Sequence, residues 1–441
     1  MKSLQVITLG CSKNTVDTEH LLFQLRDAYE IVPEGEERPR VDDLLINTCG
    51  FIGDAKEQSI ETILTAVAAK KEGRYGRVIV FGCLSERYAA ELPDLIPEVD
   101  GWFGARELSP LVEFLGCRAQ ESHRRVLTRP GLPYAFLKIS EGCDRHCSYC
   151  AIPLIRGRHR SVPMETLVAE AKALAAQGVR ELVVIAQDTT FYGLDLYKKR
   201  ALAELLERLS AVEGIEWIRI HYSYPADFPE DVLDQMARNP KVCRYMDIPL
   251  QHISDGVLSA MRRGVDGAWT RALIRKMREK VPGVALRTTL IVGHPGEGVK
   301  EFRELMDFVR EARFERMGAF PYSEEEGTWG AEHLSDTVSP RTKRSRLDRL
   351  MSLQQEISLQ CNQARIGSEP RVLVDAFSSD GILVCRSEFE SPEVDGEILV
   401  RYDAAAFDGT EPQSLVGKFL RVRIVSADAY DLTADLICID E

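Results

Sequence analysis

From position 143 to 150 the chain reads Cys-Asp-Arg-His-Cys-Ser-Tyr-Cys, three thiols spaced Cys-x3-Cys-x2-Cys. Thiolates this close together suit an iron–sulfur cubane, and three of them leave its fourth iron open to bind something else. A structural zinc site wants a fourth Cys or His and a closed tetrahedron. His146 lies between two of the cysteines and would strain such a chelate, and no second Cys pair follows at the spacing of a zinc motif. Three more cysteines stand in a repeated setting, because Leu9-Gly10-Cys11, Asn47-Thr48-Cys49 and Phe81-Gly82-Cys83 each close a short apolar run. One such Cys is by default a small buried hydrophobe. Three repeats of the placement, two with glycine in front to admit a bulky ligand, point to a second cluster. Cys117 follows Gly116 without closing a strand pattern and reads as structural.

Cysteines so far apart need a scaffold that gathers them. In the first segment short apolar runs (Leu4 to Leu9, Leu44 to Thr48, Arg77 to Phe81) alternate with helical patterns (Val16 to Tyr29, Asp54 to Lys71, Ser85 to Leu95). That alternation predicts a doubly wound parallel α/β domain, in which ligands collect at the carboxyl ends of the strands. From Tyr134 it restarts with strands at Phe136–Ser140, Glu181–Ala186, Glu216–His221, Tyr245–Leu250, Ala285–Val292 and Arg316–Tyr322. Helical patterns at Glu165–Gln177, Ala201–Ser210, Pro229–Arg238, Asp255–Lys280 and Lys300–Ala312 lie between them, so the segment is a partial (β/α)6 barrel. The Cys143 loop directly follows its first strand. Polar residues crowd the other strand ends: Gln187 and Asp188, His221 to Ser223, Gln251 with His252, and Gly293 to Glu297. One alone would be a satisfied turn residue, whereas a ring of them around one mouth suits a polar cofactor.

A helix from Pro340 to about Arg365 carries Arg341, Lys343, Arg344, Arg346, Arg349 and Arg365, which reads as a solvated basic face joining domains. Strands at Arg371–Ala376, Ile382–Cys385, Gly396–Tyr402, Lys418–Val425 and Asp435–Ile439 then predict a small antiparallel barrel like the oligonucleotide-binding folds. Cys385 and Cys438 fall inside those strands and read as packing. The expected domains are 1–128, 129–366 and 367–441.

With 441 residues the chain exceeds the size of one core, and its ordinary composition excludes disorder. The N-terminus is no signal peptide and no run is long enough to span a membrane, so a cytoplasmic protein is expected. Eleven cysteines in a reducing compartment argue for metal or redox chemistry. The net charge is −13, and residues 370–441 hold six Lys/Arg against fifteen Asp/Glu. An acidic last domain, with Glu388, Glu390, Glu393, Asp395 and Glu397 close together, favours a basic partner over RNA.

The cluster loop, with Gly142 before it and Tyr149 ahead of its last Cys, resembles the signature of radical S-adenosyl-L-methionine (radical SAM) enzymes. In that superfamily the open iron chelates SAM, and one electron cleaves it to a 5′-deoxyadenosyl radical. Ile291-Val292-Gly293-His294-Pro295-Gly296 resembles the adenine-side contacts of these enzymes, and Gln187 holds a place where they bind the methionyl moiety. Taken whole, the chain resembles the methylthiotransferases of the superfamily, which add an N-terminal second-cluster domain and a C-terminal TRAM domain. Leu9 to Asn14, Asn47 to Ile52, Gly82 to Tyr88 and Ile248 to His252 look most like the branch that modifies a ribosomal protein. Arg160-Ser161-Val162-Pro163 and His294 depart from the usual pattern without touching a ligand position.

The resemblance implies two 4Fe-4S clusters, one on Cys143, Cys147 and Cys150 and one on Cys11, Cys49 and Cys83. It implies SAM contacts at Tyr149, Gln187, Gln251, Ile291 and Gly293, and flavodoxin or ferredoxin as electron donor. The implied substrate is the basic twelfth protein of the small ribosomal subunit, methylthiolated at the β-carbon of an aspartate, with RNA contact secondary. Two alternatives stay open: the transfer RNA branch, which acts on adenosine, and a non-enzymatic nucleic-acid-binding metalloprotein.

Overall fold

Leu44 to Ile46 and Val78 to Phe81 are buried without interruption, as parallel strands covered on both faces must be. They form the centre of a five-stranded parallel sheet, ordered Tyr29–Val32, Lys2–Thr8, Val41–Thr48, Tyr75–Gly82, Gly101–Trp102. The computed structural model describes residues 1–36, 38–120, 122–405, 407 and 409–440. Among these the chain divides into two units, the first made of Met1–Pro130, Ser140–Val162 and Glu325–Glu332.

Helices Ser12–Leu25 and Gly53–Lys71 make the first two long crossovers of this sheet. The first helix begins four residues earlier than the pattern Val16 to Tyr29 suggests, and Tyr29 opens a short edge strand instead. The pattern Ser85 to Leu95 is two short helices, Cys83–Arg87 and Leu92–Leu95. Two further pieces complete the unit. Ser140–Glu141 pairs antiparallel with Arg160–Ser161, framing the Cys143 loop. Glu325 accepts from Lys56 and Arg87, both at 2.9 Å, and the Gly330 N–H donates to the Ser148 carbonyl at 2.6 Å, so the strap Glu325–Glu332 holds that loop.

The second unit contains six parallel strands in sequential order, Tyr134–Lys138, Glu181–Ile185, Trp217–Ile220, Val242–Asp247, Ala285–Val292 and Arg316–Pro321. Their crossover helices bury one apolar stripe each; in Val299–Ala312 it is Phe302, Leu305, Met306 and Val309. The fourth strand ends at Asp247, three residues before the expected end, because Pro249 has no N–H to continue the ladder.

Helix Pro340–Gln363 packs on the last strand, and its basic residues do not form one solvated face. Lys343 and Arg346 are buried: Lys343 Nζ donates to the Tyr322 carbonyl at 2.9 Å, and Arg346 meets Glu297 at 2.7 Å. The five C-terminal strands close into a barrel, antiparallel except where Ile398–Arg401 pairs in parallel with Leu432–Asp440. Cys385 lies in its core, but Cys438 is exposed, so the packing role expected of the latter is corrected. No helix among the described residues is long and apolar enough to cross a membrane.

The acidic stretch at 388–397 also needs correction. It is not a free negative surface: four of its five carboxylates turn onto the (β/α) strands or their neighbours. Glu388 pairs with Arg244 at 2.7 Å, Glu390 with Arg316 at 3.0 Å and with Arg365, and Asp395 accepts from the Tyr245 hydroxyl at 2.6 Å. The Glu393 carboxylate accepts from the Tyr134 hydroxyl at 3.0 Å. Beside them Glu181 joins Arg219 at 2.7 Å and Arg386 at 2.8 Å. Buried pairs of this kind fix one arrangement of the two elements more than they add net stability.

A pH dependence follows. Burial opposes ionisation of Glu390, but Arg365 and Arg316 outweigh it and hold the carboxyl down at about 2. A depressed folded-state value gives stability that is present above the unfolded value of roughly 4.3 and is lost as pH falls towards 2. Urea unfolding of the metal-free chain should therefore lose about 3 kcal/mol more between about pH 5 and about pH 2 than unfolding of a Glu390→Gln variant. Equal acid losses in the two proteins would contradict the assignment.

Candidate functional site

The three N-terminal cysteines follow neighbouring strands of one sheet, since Lys2–Thr8, Val41–Thr48 and Tyr75–Gly82 lie side by side. They stand just beyond the strands rather than within them. Cys11 is the cap residue of helix Ser12–Leu25, Cys49 is half-buried, and Cys83 is buried as the first residue of helix Cys83–Arg87. The glycines before Cys11 and Cys83 have a purpose in the protein itself. Gly10 has φ +92° and a Cβ there would meet Cys49 Cβ at 2.8 Å, while Gly82 has φ +107° and abuts Asn47 and Thr48.

Asn14, fully buried, ties these ends together. Its Nδ2 donates to the Leu9 carbonyl at 2.8 Å and to the Thr48 carbonyl at 3.2 Å, and its Oδ1 accepts from Arg156 at 2.7 Å. Ser59 clamps Cys49 by accepting from its N–H at 3.1 Å and donating to its carbonyl at 2.9 Å. Burial pushes the Cys83 thiol up to about 12, against the pull of Arg156, and raises Cys49 as well; each also feels the negative charge of Cys11. Thiols that resist ionisation this strongly become thiolates once a metal takes the proton's place. A soft, three-thiol donor set on one sheet edge fits an iron–sulfur cluster.

The second triplet lies in the same unit. Cys143, Cys147 and Cys150 are all half-buried. The Cys143 N–H donates to the Gly157 carbonyl at 3.1 Å, the Cys150 N–H to the Cys147 carbonyl at 3.2 Å, and the Arg145 N–H points at Cys143 Sγ at 3.4 Å. Asp144 accepts from the His159 N–H at 3.0 Å; burial opposes its charge, yet that bond and Arg158 keep the carboxyl below its usual value. His146 is exposed. Among the described residues no group of three or more His, Cys, Asp or Glu side chains has the geometry to hold a single ion. A cubane asks for something different, because each thiolate serves its own iron.

In the second unit the expected SAM contacts stand at the carboxyl ends of the parallel strands. Gln251, Ile291 and Gly293 come together: the Gln251 N–H donates to the Thr289 carbonyl at 2.9 Å and its carbonyl accepts from the Ile291 N–H at 2.8 Å. Gln251 adopts φ +72°, rare for a side-chain-bearing residue, and its Oε1 is buried with no hydrogen-bond partner. A strained residue holding an unpaired acceptor is the mark of a ligand-binding position. Gln187 follows the second strand of the same sheet, and Tyr149 belongs to the first unit. Reading the sequence missed how this rim is held. Glu297 accepts from the Gly293 N–H at 2.8 Å and lies 3.3 Å from His252 and 2.7 Å from Arg346. His294 packs edge-on to Tyr322 at 4.9 Å, and burial lowers its pKa to about 4, so it is neutral at pH 7.

The profile of the radical SAM superfamily matches residues 137–309, that of the uncharacterized protein family UPF0004 residues 3–104, and that of the TRAM domain residues 366–437. In fold the chain is similar to the radical S-adenosylmethionine methyltransferase TsrM from Kitasatospora setae, with a TM-score of 0.53 at 14% identity over 94% of this chain and 85% of that one. It is also similar to the cobalamin-dependent S-adenosylmethionine radical enzyme OxsB, with a TM-score of 0.52 at 13% identity over 81% and 56%. Fold, cysteine loop and profile together define a radical SAM enzyme, with SAM and 4Fe-4S clusters as its cofactors. Full-length relatives narrow this further. The chain is 50% identical to "Ribosomal protein uS12 methylthiotransferase RimO" of Phocaeicola vulgatus over 99% of each chain. It is 49% identical to the protein of the same name in Porphyromonas gingivalis over 98% of this chain and 99% of that one. It belongs to the RimO family of radical SAM methylthiotransferases. The non-enzymatic alternative falls with that result.

Proposed function

We propose that the chain transfers a methylthio group to the β-carbon of an aspartate of ribosomal protein uS12, with Cys143, Cys147 and Cys150 holding one 4Fe-4S cluster and Cys11, Cys49 and Cys83 the other. The observation that carries the two-cluster reading is that both triplets sit in one unit and share a buried side chain: Arg156 reaches Cys83 Sγ at 3.3 Å and, through Glu141 at 3.3 Å, the strand leading into Cys143. When bound, SAM on the reduced open cluster supplies the hydrogen-abstracting radical and the second cluster supplies sulfur.

The protein's own residues position and insulate these groups. Gln251 offers its unpaired Oε1 to a polar ligand at the barrel mouth, with Ile291 and Gly293 beside it and Gln187 after the second strand. The family resemblance also assigns Tyr149, on the cluster loop, to SAM. Glu297 and Arg346 keep the Gly293 turn in place. Segments 1–128 and 129–366 divide the work into sulfur supply and radical generation, and 367–441 is the TRAM domain.

The substrate assignment rests on the family and not on the acidity at 388–397, which the ion pairs neutralise. A flavodoxin or ferredoxin donor, action on the small ribosomal subunit in the cytoplasm, and a secondary RNA contact through the TRAM barrel complete the reading. Anaerobic reconstitution tests it: the brown protein, given SAM and a reductant, should form 5′-deoxyadenosine, and should consume a uS12 peptide containing the aspartate only when that peptide's β-carbon bears hydrogen. A colourless protein inert towards SAM would refute it.

A further inference from the structure

Arg156 ends the short helix Ile152–Arg156, which begins two residues after Cys150, and it is buried within the first unit. Nε points at Cys83 Sγ at 3.3 Å, one terminal nitrogen serves Asp17 at 2.7 Å, Glu141 at 3.3 Å and the Ala105 carbonyl at 3.4 Å, and the other serves Asn14 Oδ1 at 2.7 Å. The two carboxylates take up the terminal nitrogen's hydrogen bonds, so the contact to sulfur is not a by-product of ion pairing. Arginine stays charged in any such site, and its planar fork fixes the direction of each N–H. Hydrogen bonds and positive charge at the sulfurs raise the reduction potential of an iron–sulfur cluster, and groups behind the ligands set ligand orientation. Asn14 extends the effect, since the atom that accepts from Arg156 lies 3.7 Å from Cys83 Sγ while its amide holds the ends of two strands that lead to Cys11 and Cys49.

We infer that Arg156 is a positioning residue for sulfur transfer: its N–H to Cys83 raises the potential of the N-terminal cluster, and its bond to Glu141 locks that cysteine to the hairpin carrying Cys143. The inference rests on Cys11, Cys49 and Cys83 being cluster ligands. To test it, the full chain with Cys143→Ala, Cys147→Ala and Cys150→Ala isolates the N-terminal iron, whose midpoint potential is followed by electron paramagnetic resonance during a redox titration. Two further changes are introduced into this background. Arg156→Lys keeps the charge and removes the fork; the pair Asp17→Asn with Arg156→Gln removes the charge together with one of its buried partners, protecting the fold.

The potential should become more negative in both, since each loses the directed N–H to Cys83 Sγ, and in the pair the charge lost at Arg156 is balanced by the carboxylate lost at Asp17. In the chain with all six cysteines the pair should lower methylthio transfer roughly 10-fold to 100-fold while deoxyadenosine formation persists. Loss of the N-terminal iron in the pair, with its retention in Arg156→Lys, likewise supports the role. Iron retained at an unchanged potential in the pair overturns it. A three-alanine background that binds no iron overturns the N-terminal cluster itself, and this inference with it.

Discussion

Changing Cys143, Cys147 and Cys150 together to Ala is expected to take the anaerobically reconstituted protein from about eight irons per chain to about four, and its production of 5′-deoxyadenosine to background. The size of the effect follows from the proposed ligand count, in which each triplet holds a whole cubane. Cys243 and Cys385 are buried in apolar surroundings that push their thiols up, and Cys117 and Cys361 are raised by burial too. Iron analysis with parallel chromatography of the nucleoside product gives the answer. An unsubstituted chain that saturates at about four irons would remove the N-terminal cluster from the account.

The converse substitution separates the two chemistries. Cys11→Ala, Cys49→Ala and Cys83→Ala should leave SAM cleavage in place yet reduce methylthio transfer to nothing measurable. The Cys143 loop is framed by its own hairpin and by the strap at Glu325–Glu332, through bonds that involve none of those three side chains. Removing the three thiols therefore leaves its supports standing. Loss of deoxyadenosine formation in a variant shown to keep about four irons would contradict this division of labour.

Much of this was legible in the residues because periodicity and spacing are local signals. The alternation of apolar runs and helical patterns located the three N-terminal cysteine positions and all six parallel strands of the second unit, with ends off by a few residues where Pro249 or a capping Cys stops an element. The short edge strands Tyr29–Val32 and Gly101–Trp102 were not legible, since so few residues carry no period of their own.

Charge was the least legible quantity. Six basic residues at 341–365 look like a wet helix face, and five acids at 388–397 look like a repulsive surface, until burial shows Arg346 on Glu297 and Arg316 on Glu390. A sequence gives the sign of each side chain but not its partner, and long-range pairing decides whether a charge is presented or consumed. Arg156 escaped notice for the same reason: its five partners come from several parts of the chain. Asn14, by contrast, stood within the motif Leu9 to Asn14, where only its buried bonds explain its presence.

The measurement that bears most directly on the account is intact-mass and peptide spectrometry of uS12, alongside nucleoside analysis of transfer RNA, from cells lacking this protein and from cells restored with it. The account predicts that uS12 loses the mass of one methylthio group on an aspartate when the protein is absent and regains it on restoration, while methylthioadenosine in transfer RNA is unchanged. An unchanged uS12 mass with loss of the methylthio group from transfer RNA would contradict it and assign the chain to the adenosine-modifying branch.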